Sequence, residues 1–489
     1  MSTSEPIREL SDLVDQKSLR KSVAAGAIGV LVHWFDWAVY AYLAGTIASV
    51  FFPEESATAG LLATFAVFAV SFLVRPIGAI IFGRLGDRLG RKQTLSIVIL
   101  AMALSTLVLG LLPGYSTIGI LAPILLIATR IVQGLAAGGE FGSAAAFLGE
   151  FSPAKRRGFG VSWLEFGSLL GFLLASFAVF LLNLAFDQQQ IADWAWRIPF
   201  LITVPLGFIG LYIRRKIEDT PEFQQLQELE TVSHAPVKEV FQRNFKEFIQ
   251  TCGMETFMNV TFYVVLVYLL TYQEVTVGID AGNAALLSTL ASALGLIVVP
   301  LAGIASDRVG RKPVLLTAAV ALTVLSVPLF MLMNDPAPWA TFVSTLGLAL
   351  ILAIVLGTHA VTVVELFPTR TRQTGLSIAY ALTAALFAGT APYLLTWLID
   401  TTGDQLVPGY FLVGVGLVGV VTVLSLPETR GIPLLKAQDL ETATVTIPDI
   451  RTASSSSTLS TPSTSSIPSI SSIPGNSGTP GTRIEGDQS

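Results

Sequence analysis

Charge is what this chain has least of. Of its 489 residues 34 are acidic and 29 basic, 13% in all, against roughly 25% in ordinary soluble domains. So few cannot cover the surface of a soluble protein of this length, which excludes a soluble enzyme and a nucleic-acid binder. Cysteine occurs once, as Cys252, so there is no internal disulfide and no cysteine-based metal site; it reads as a small packing residue. Three histidines leave no zinc cluster. No P-loop is present, so direct use of ATP is unsupported. No nucleophile–base pair stands out, and neither metal nor cofactor is expected; the chain does not read as an enzyme.

What is abundant is apolar sequence, 52% of the residues. At about 20 residues per bilayer crossing, that suffices for about a dozen helices. Runs long enough to span occur at 22–48, 59–82, 93–112, 119–147, 158–184 and 197–213, then at 247–271, 283–304, 313–333, 339–364, 374–399 and 408–426. They are continuous, whereas a membrane β-barrel alternates over segments of about ten residues. The expected organisation is a short N-terminal segment (1–21), a six-helix bundle (22–213), a charged link (214–246), a second six-helix bundle (247–426) and a tail (427–489).

The connections at 83–92, 149–157, 214–246, 303–312 and 365–373 contain Lys or Arg, while in the alternate ones only Arg197 is basic. The positive-inside rule then puts both termini in the cytoplasm, as an even number of crossings requires. The first 21 residues are polar with no apolar core, so the first apolar run is expected to serve as an uncleaved anchor. Val237–Phe248 could form an amphipathic surface helix. From about 452 onward Ser, Thr, Pro and Gly dominate, and such a segment is expected to be disordered. It has no heptads, hence no coiled-coil route to a dimer, and the oligomeric state is not readable.

An internal repeat gives the halves a common origin. Gly83–Lys92 reads GRLGDRLGRK and Gly303–Lys312 reads GIASDRVGRK, six identities in ten at a separation of 220, each after the second run of its half. Parallel duplication of this kind marks transporters whose halves rock about a central site. Gly83, Gly90, Gly303 and Gly310 allow tight turns. Asp87 and Asp307 can cap a helix or pair with a base, and Arg88, Arg91, Arg308 and Arg311 supply the bases. Together they read as a gating latch; simple basic anchoring would explain only the arginines.

With these motifs the sequence resembles the major facilitator superfamily. His33-Trp34-Phe35-Asp36-Trp37 with Tyr40, Arg75-Pro76-Ile77-Gly78, Arg130–Gly134 running to Glu140, Trp194–Phe200, Thr220–Phe223, Glu365–Pro368 and Pro427-Glu428-Thr429 are similar to its metabolite:proton symporter branch. Ser162–Ser168, Pro205–Tyr212 and Asn259–Tyr263 look most like its compatible-solute symporters for proline and glycine betaine. The resemblance covers about residues 20–436. It implies an all-α integral membrane protein with twelve transmembrane helices in two pseudo-symmetric six-helix bundles. His33 departs from the branch, which usually has an acidic residue there.

Ionisable groups at mid-bilayer are costly and therefore functional candidates. Asp36, Glu140, Glu165 and Glu255, Arg75 and Arg130, and His33 and His359 fall within the runs. His33, Asp36 and Tyr40 share one helical face, with Trp34 and Trp37 beside it. Glu255, Asn259 and Tyr263 share another. Arg75 precedes Pro76 and reads equally as a helix-end residue, His359 as a hydrogen-bonded interior residue, and the aromatics as interfacial belts. Gly134, Gly138 and Gly142 form a stripe for close helix packing.

The expected function is proton-coupled uptake of small zwitterionic osmolytes (proline, glycine betaine or ectoine) through the cell membrane by alternating access. Indole and phenol faces of Trp34, Trp37, Tyr40 and Tyr263 suit an ammonium, Arg130 suits the solute carboxylate, and Glu255 and Asn259 offer polar partners. Asp36 is the first candidate proton carrier, with His33 and Tyr40 placed to hold or relay the proton; Glu140 and Glu165 follow. The alternatives are a symporter for a dicarboxylate or oxo-acid such as 2-oxoglutarate, and a solute sensor that does not transport. A dianion wants more cations than two arginines against four acids provide.

Overall fold

The computed structural model describes residues 30–52, 57–89, 91–138, 140–215, 236–432 and 434. Among them the regular structure is helical throughout, without strands. Twelve long helical segments follow one another. In the first half these are α1 (30–51), α2 (Ala57–Leu73 and Arg75–Leu89), α3 (Arg91–Leu111), α4 (Leu121–Ala137 and Glu140–Phe151), α5 (Arg157–Ala185) and α6 (Arg197–Arg215). The second half has α7 (Phe245–Val277), α8 (Ala281–Val309), α9 (Arg311–Met333), α10 (Pro338–Leu366), α11 (Thr369–Thr383 and Ala391–Thr402) and α12 (Val407–Ser425). Nine helices among the described residues are long and apolar enough to cross a membrane; α3 contributes a shorter apolar stretch, Leu100–Leu111. Large apolar side chains such as Ile80, Leu184, Ile297, Val324 and Val421 face outward, as a helix in lipid requires.

The packing repeats between the halves. Helix α3 packs on α4 and α6 as α9 packs on α10 and α12, and α2 on α4 as α8 on α10. Where the halves meet, α5 lies against α8 and α2 against α11, pairs that exchange when the halves are swapped. Helix α7 is the most enclosed of the spans and α9 the least.

Local chemistry sets the boundaries. Asp280 caps α8 by accepting from the backbone N–H groups of Gly282 and Asn283. Proline opens α10 at Pro338 and stands at the start of α12 as Pro408. Between α8 and α9 the chain turns at Gly310, φ +111°, where a Cβ would also meet the Glu428 carboxylate; the glycine of the repeated motif is needed there twice over. Gly134 and Gly138 bring α4 so close to α2 that a methyl group would strike the Ser71 and Arg75 carbonyls. Gly142 faces Ser377 of α11.

The segment before α7 is a two-turn helix, Pro236–Arg243, that stops at Asn244. The expected run through Phe248 is thus divided, its second part belonging to α7. Residues 1–29, 216–235 and 435–489, which hold the expected N-terminal segment, most of the link and the Ser/Thr/Pro-rich tail, lie outside the described residues.

Candidate functional site

Helix α1 carries the first cluster. Asp36 is 1% exposed, and its Oδ2 accepts a hydrogen bond from Gln133 Nε2 at 3.1 Å. The Arg130 guanidinium lies 3.8 Å from the same oxygen. Gln133 also donates to Thr106 Oγ1 at 2.9 Å, tying α1, α3 and α4 into one polar knot. Arg130 sits 3.7 Å above the Tyr40 ring and 5.6 Å from that of Trp37, a cation–π arrangement in a dry interior.

The expected relay through His33 and Tyr40 is not what forms. Tyr40 donates its hydroxyl to the Thr64 carbonyl at 3.1 Å, and His33 Nδ1 lies 3.2 Å from Glu140 Oε2. A shared face places three side chains side by side, but neighbouring helices supply nearer partners. Arg130 likewise pairs with Asp36 instead of standing open to a solute. Arg75 is buried with its guanidinium 3.9 Å from the Phe72 ring and 4.5 Å from that of Trp37. It interacts electrostatically with the phenols of Tyr263 and Tyr380 on the other half.

The second cluster joins the halves. His359 on α10 has Nε2 3.4 Å from Glu255 Oε1 on α7 and Nδ1 3.9 Å from Glu165 Oε1 on α5. Asn259 Nδ2 donates to Glu255 Oε2 and to Thr383 Oγ1, both at 3.4 Å. Next to this group lies a small cavity lined by Trp34, Phe141, Glu165, Met258, Asn259, Phe262 and Tyr380. Phe141 stacks on Tyr380 at 4.2 Å, and Trp34 packs on Phe262 at 5.0 Å and Tyr263 at 6.1 Å. Of the solute-contact candidates, Trp34 and Asn259 line the cavity; Tyr263 packs on Trp34, and Glu255 accepts from Asn259. Trp37, Tyr40 and Arg130 belong to the first cluster.

The repeated motif builds a third group at the ends of α5, α8 and α10. Asp307 accepts from the backbone N–H groups of Gly158 and Phe159, each at 2.9 Å, so a carboxylate of the second half caps a helix of the first. Arg311 pairs with Asp307 at 2.7 Å and with Glu365 at 3.2 Å. Glu365 also lies 3.3 Å from Arg157 and accepts from Thr429 at 2.7 Å. Arg372 reaches Glu150 across the halves at 3.0 Å. Gly303 packs against Gly158 and Ser162, and Arg308 is exposed. In the first copy Gly83, Asp87 and Arg88 end α2 and Arg91 opens α3, but their side chains, and Gly90 entirely, lie outside the described residues.

Sequence reasoning passed over Gln133, Phe141, Met258, Phe262 and Tyr380. Gln133 was detectable as an amide one turn beyond Arg130 in an apolar run; the others look like ordinary core residues.

Known proteins can be set beside this geometry. A family model described as sugar (and other) transporter matches residues 23–234 and 224–440. The chain is 39% identical over 432 residues to the proline/betaine transporter of Escherichia coli (strain K12), covering 86% of each. It is 37% identical, with the same coverage, to the glycine betaine/proline/ectoine/pipecolic acid transporter OusA of Dickeya dadantii (strain 3937). Among solved structures, the proton:xylose symporter XylE bound to 6-bromo-6-deoxy-D-glucose superposes with a TM-score of 0.72 at 20% identity, over 88% of this chain and 99% of that one. That likeness is one of fold.

Proposed function

The chain belongs to the sugar (and other) transporter family of the major facilitator superfamily, and from that premise we propose that it takes up small zwitterionic osmolytes, such as proline, glycine betaine and ectoine, by proton symport. The observation that carries the substrate class is the cavity between the halves, where aromatic rings surround a carboxylate. Aromatic faces and one negative charge suit an ammonium. A dicarboxylate would bring two negative charges towards Glu165 and Glu255. The printed substrates of the relatives favour the same class. For the solute carboxylate a buried base is available in Arg75, whose Nε and Nη2 make no hydrogen bond.

The coupling group in this reading is Asp36. Asp36 accepts from Gln133 and lies 3.8 Å from the Arg130 guanidinium, so a change in its charge is felt on α4. Protonation of Asp36 removes the negative partner of Arg130 and loosens α1 from α4. Glu140, beside His33, is the second candidate and Glu165 the third.

In the same reading both termini are cytoplasmic in the inner membrane, with bundles at 22–213 and 247–426 joined by the 214–246 link. The Asp307–Arg311–Glu365 group is then a cytoplasmic latch that holds the inner side shut until solute and proton are loaded.

Uptake of labelled proline, betaine, ectoine and dicarboxylates by proteoliposomes tests the proposal. Accumulation of the zwitterions under an imposed pH gradient, abolished by a protonophore, is expected. Uptake of a dicarboxylate that ignores excess betaine or proline sinks it. Solute binding without any movement across the membrane would favour a sensor.

A further inference from the structure

One buried carboxylate, only third among the candidates for the proton step, has a second use. Glu165, 3% exposed, contributes a carboxylate to the cavity wall. Its Oε1 makes no hydrogen bond; the nearest base is His359 Nδ1, 3.9 Å away. Both ring nitrogens of His359 also lack a hydrogen bond, although Nε2 lies 3.4 Å from Glu255 Oε1. A buried carboxylate beside a cavity with an unfilled lone pair is an electrostatic vacancy for a cation.

Shape narrows the cation. Besides Glu165, Met258 and Asn259 the walls are four aromatic side chains, Trp34, Phe141, Phe262 and Tyr380. A metal ion would ask for several oxygen ligands, and among the described residues no group of three or more potential metal ligands occurs. A quaternary ammonium asks for what is there: aromatic surface around its methyl groups and one counter-charge it need not hydrogen-bond. A secondary ammonium uses the same place and donates to Oε1.

We infer that Glu165, framed by Trp34, Phe141, Phe262 and Tyr380, receives the ammonium group of the solute, which displaces the His359 imidazole from it. The inference rests on the zwitterion reading above and deepens it by giving the solute a direction, ammonium to Glu165 and carboxylate towards Arg75. It also gives binding a mechanical consequence. Glu165 belongs to α5, Glu255 to α7 and His359 to α10, so the imidazole bridges the halves when the cavity is empty. A solute at Glu165 leaves His359 to Glu255, within the second half, and the bridge opens as the cavity fills.

The test uses the purified full-length protein in nanodiscs and measures binding of labelled glycine betaine, with tetramethylammonium as a competitor that carries the cation alone. Wild-type binding of neither betaine nor proline defeats the zwitterion reading itself, whatever Glu165 does. Given wild-type binding, tetramethylammonium is expected to displace betaine. Glu165→Gln is expected to weaken both by roughly 30-fold or more, as loss of a buried charge partner does. Unchanged affinity in Glu165→Gln, or a betaine-binding wild type indifferent to tetramethylammonium, overturns the inference while leaving the zwitterion reading in place. If Glu165→Gln does not fold, His359→Gln decides. Losing a displaced competitor should leave tetramethylammonium binding unchanged or tighter, and a tenfold loss overturns the inference.

Discussion

The two buried charge clusters around Asp36 and Glu165 differ in what they join. Asp36, Arg130, Gln133 and Thr106 all lie on α1, α3 and α4, inside the first six helices. Glu165, His359 and Glu255 come from α5, α10 and α7 and cross between the halves. A proton added to the first changes the interior of one half without touching the interface. A charge added to the second acts on the interface directly. Under the proposed symport, coupling needs a link between them, and the packing offers one: both Arg130 and Arg75 approach the Trp37 ring, and Arg75 interacts electrostatically with Tyr263 and Tyr380. Tyr380 is a wall of the cavity.

The largest expected effect breaks the comparison at its first member. Asp36→Asn keeps the hydrogen-bonding shape but cannot carry a proton. Accumulation driven by a pH gradient should fall by roughly 100-fold, while exchange of labelled for unlabelled solute continues. An Asp36 that only fixes α1 against α4 would lose both activities together or keep both. Full accumulation in Asp36→Asn would shift the coupling role to Glu140, beside His33.

An intermediate effect is expected at the latch. Arg311→Gln removes the partner of both Asp307 and Glu365 and leaves Glu365 with Arg157 and Thr429. Losing one member of a buried ionic network destabilises it by about 3–5 kcal/mol. Transport should drop about tenfold or more, with betaine binding retained within about threefold, since the latch touches no cavity residue. Loss of binding in proportion to transport would mean that Arg311 supports the fold as a whole.

The helices were legible because the bilayer leaves few choices: a span needs about 20 apolar residues, and polar connections bound each one. The repeat was legible as six identities in ten; the Asp307 contact with the start of α5, 149 residues away, was not. Periodicity puts His33, Asp36 and Tyr40 on one face but cannot say which helix arrives opposite. Gln133 reaches Asp36 across 97 residues, and an amide makes a weaker signal than a charge. Phe141 and Tyr380 resemble the many aromatics that only fill space, so the cavity walls could be named only once the helices were packed. Glu165 and Glu255 stood out as buried acids, but their shared imidazole did not.

The smallest expected effect sharpens the contrast between the two ends of the interface. At the latch end the halves are held by charged groups: Asp307 on backbone amides, Arg157 on Glu365 and Arg372 on Glu150. Beyond the cavity, near the start of α8, they are held by neutral hydroxyls. Ser288 Oγ donates to the Tyr42 hydroxyl at 2.9 Å, and Thr289 Oγ1 to Ser176 Oγ at 3.0 Å. A neutral hydrogen bond contributes about 0.5–1.5 kcal/mol net, well below a buried ionic network. The hydroxyl end is therefore expected to open more readily when the protein is empty. Ser288→Ala removes one of the two bonds without adding bulk. It should change the apparent affinity for solute by less than about threefold, while raising the reactivity of a cysteine placed at Ser292, which is buried on the same helix. A tenfold change in affinity, or a cysteine that stays unreactive, would show that this end is held by more than its hydroxyls.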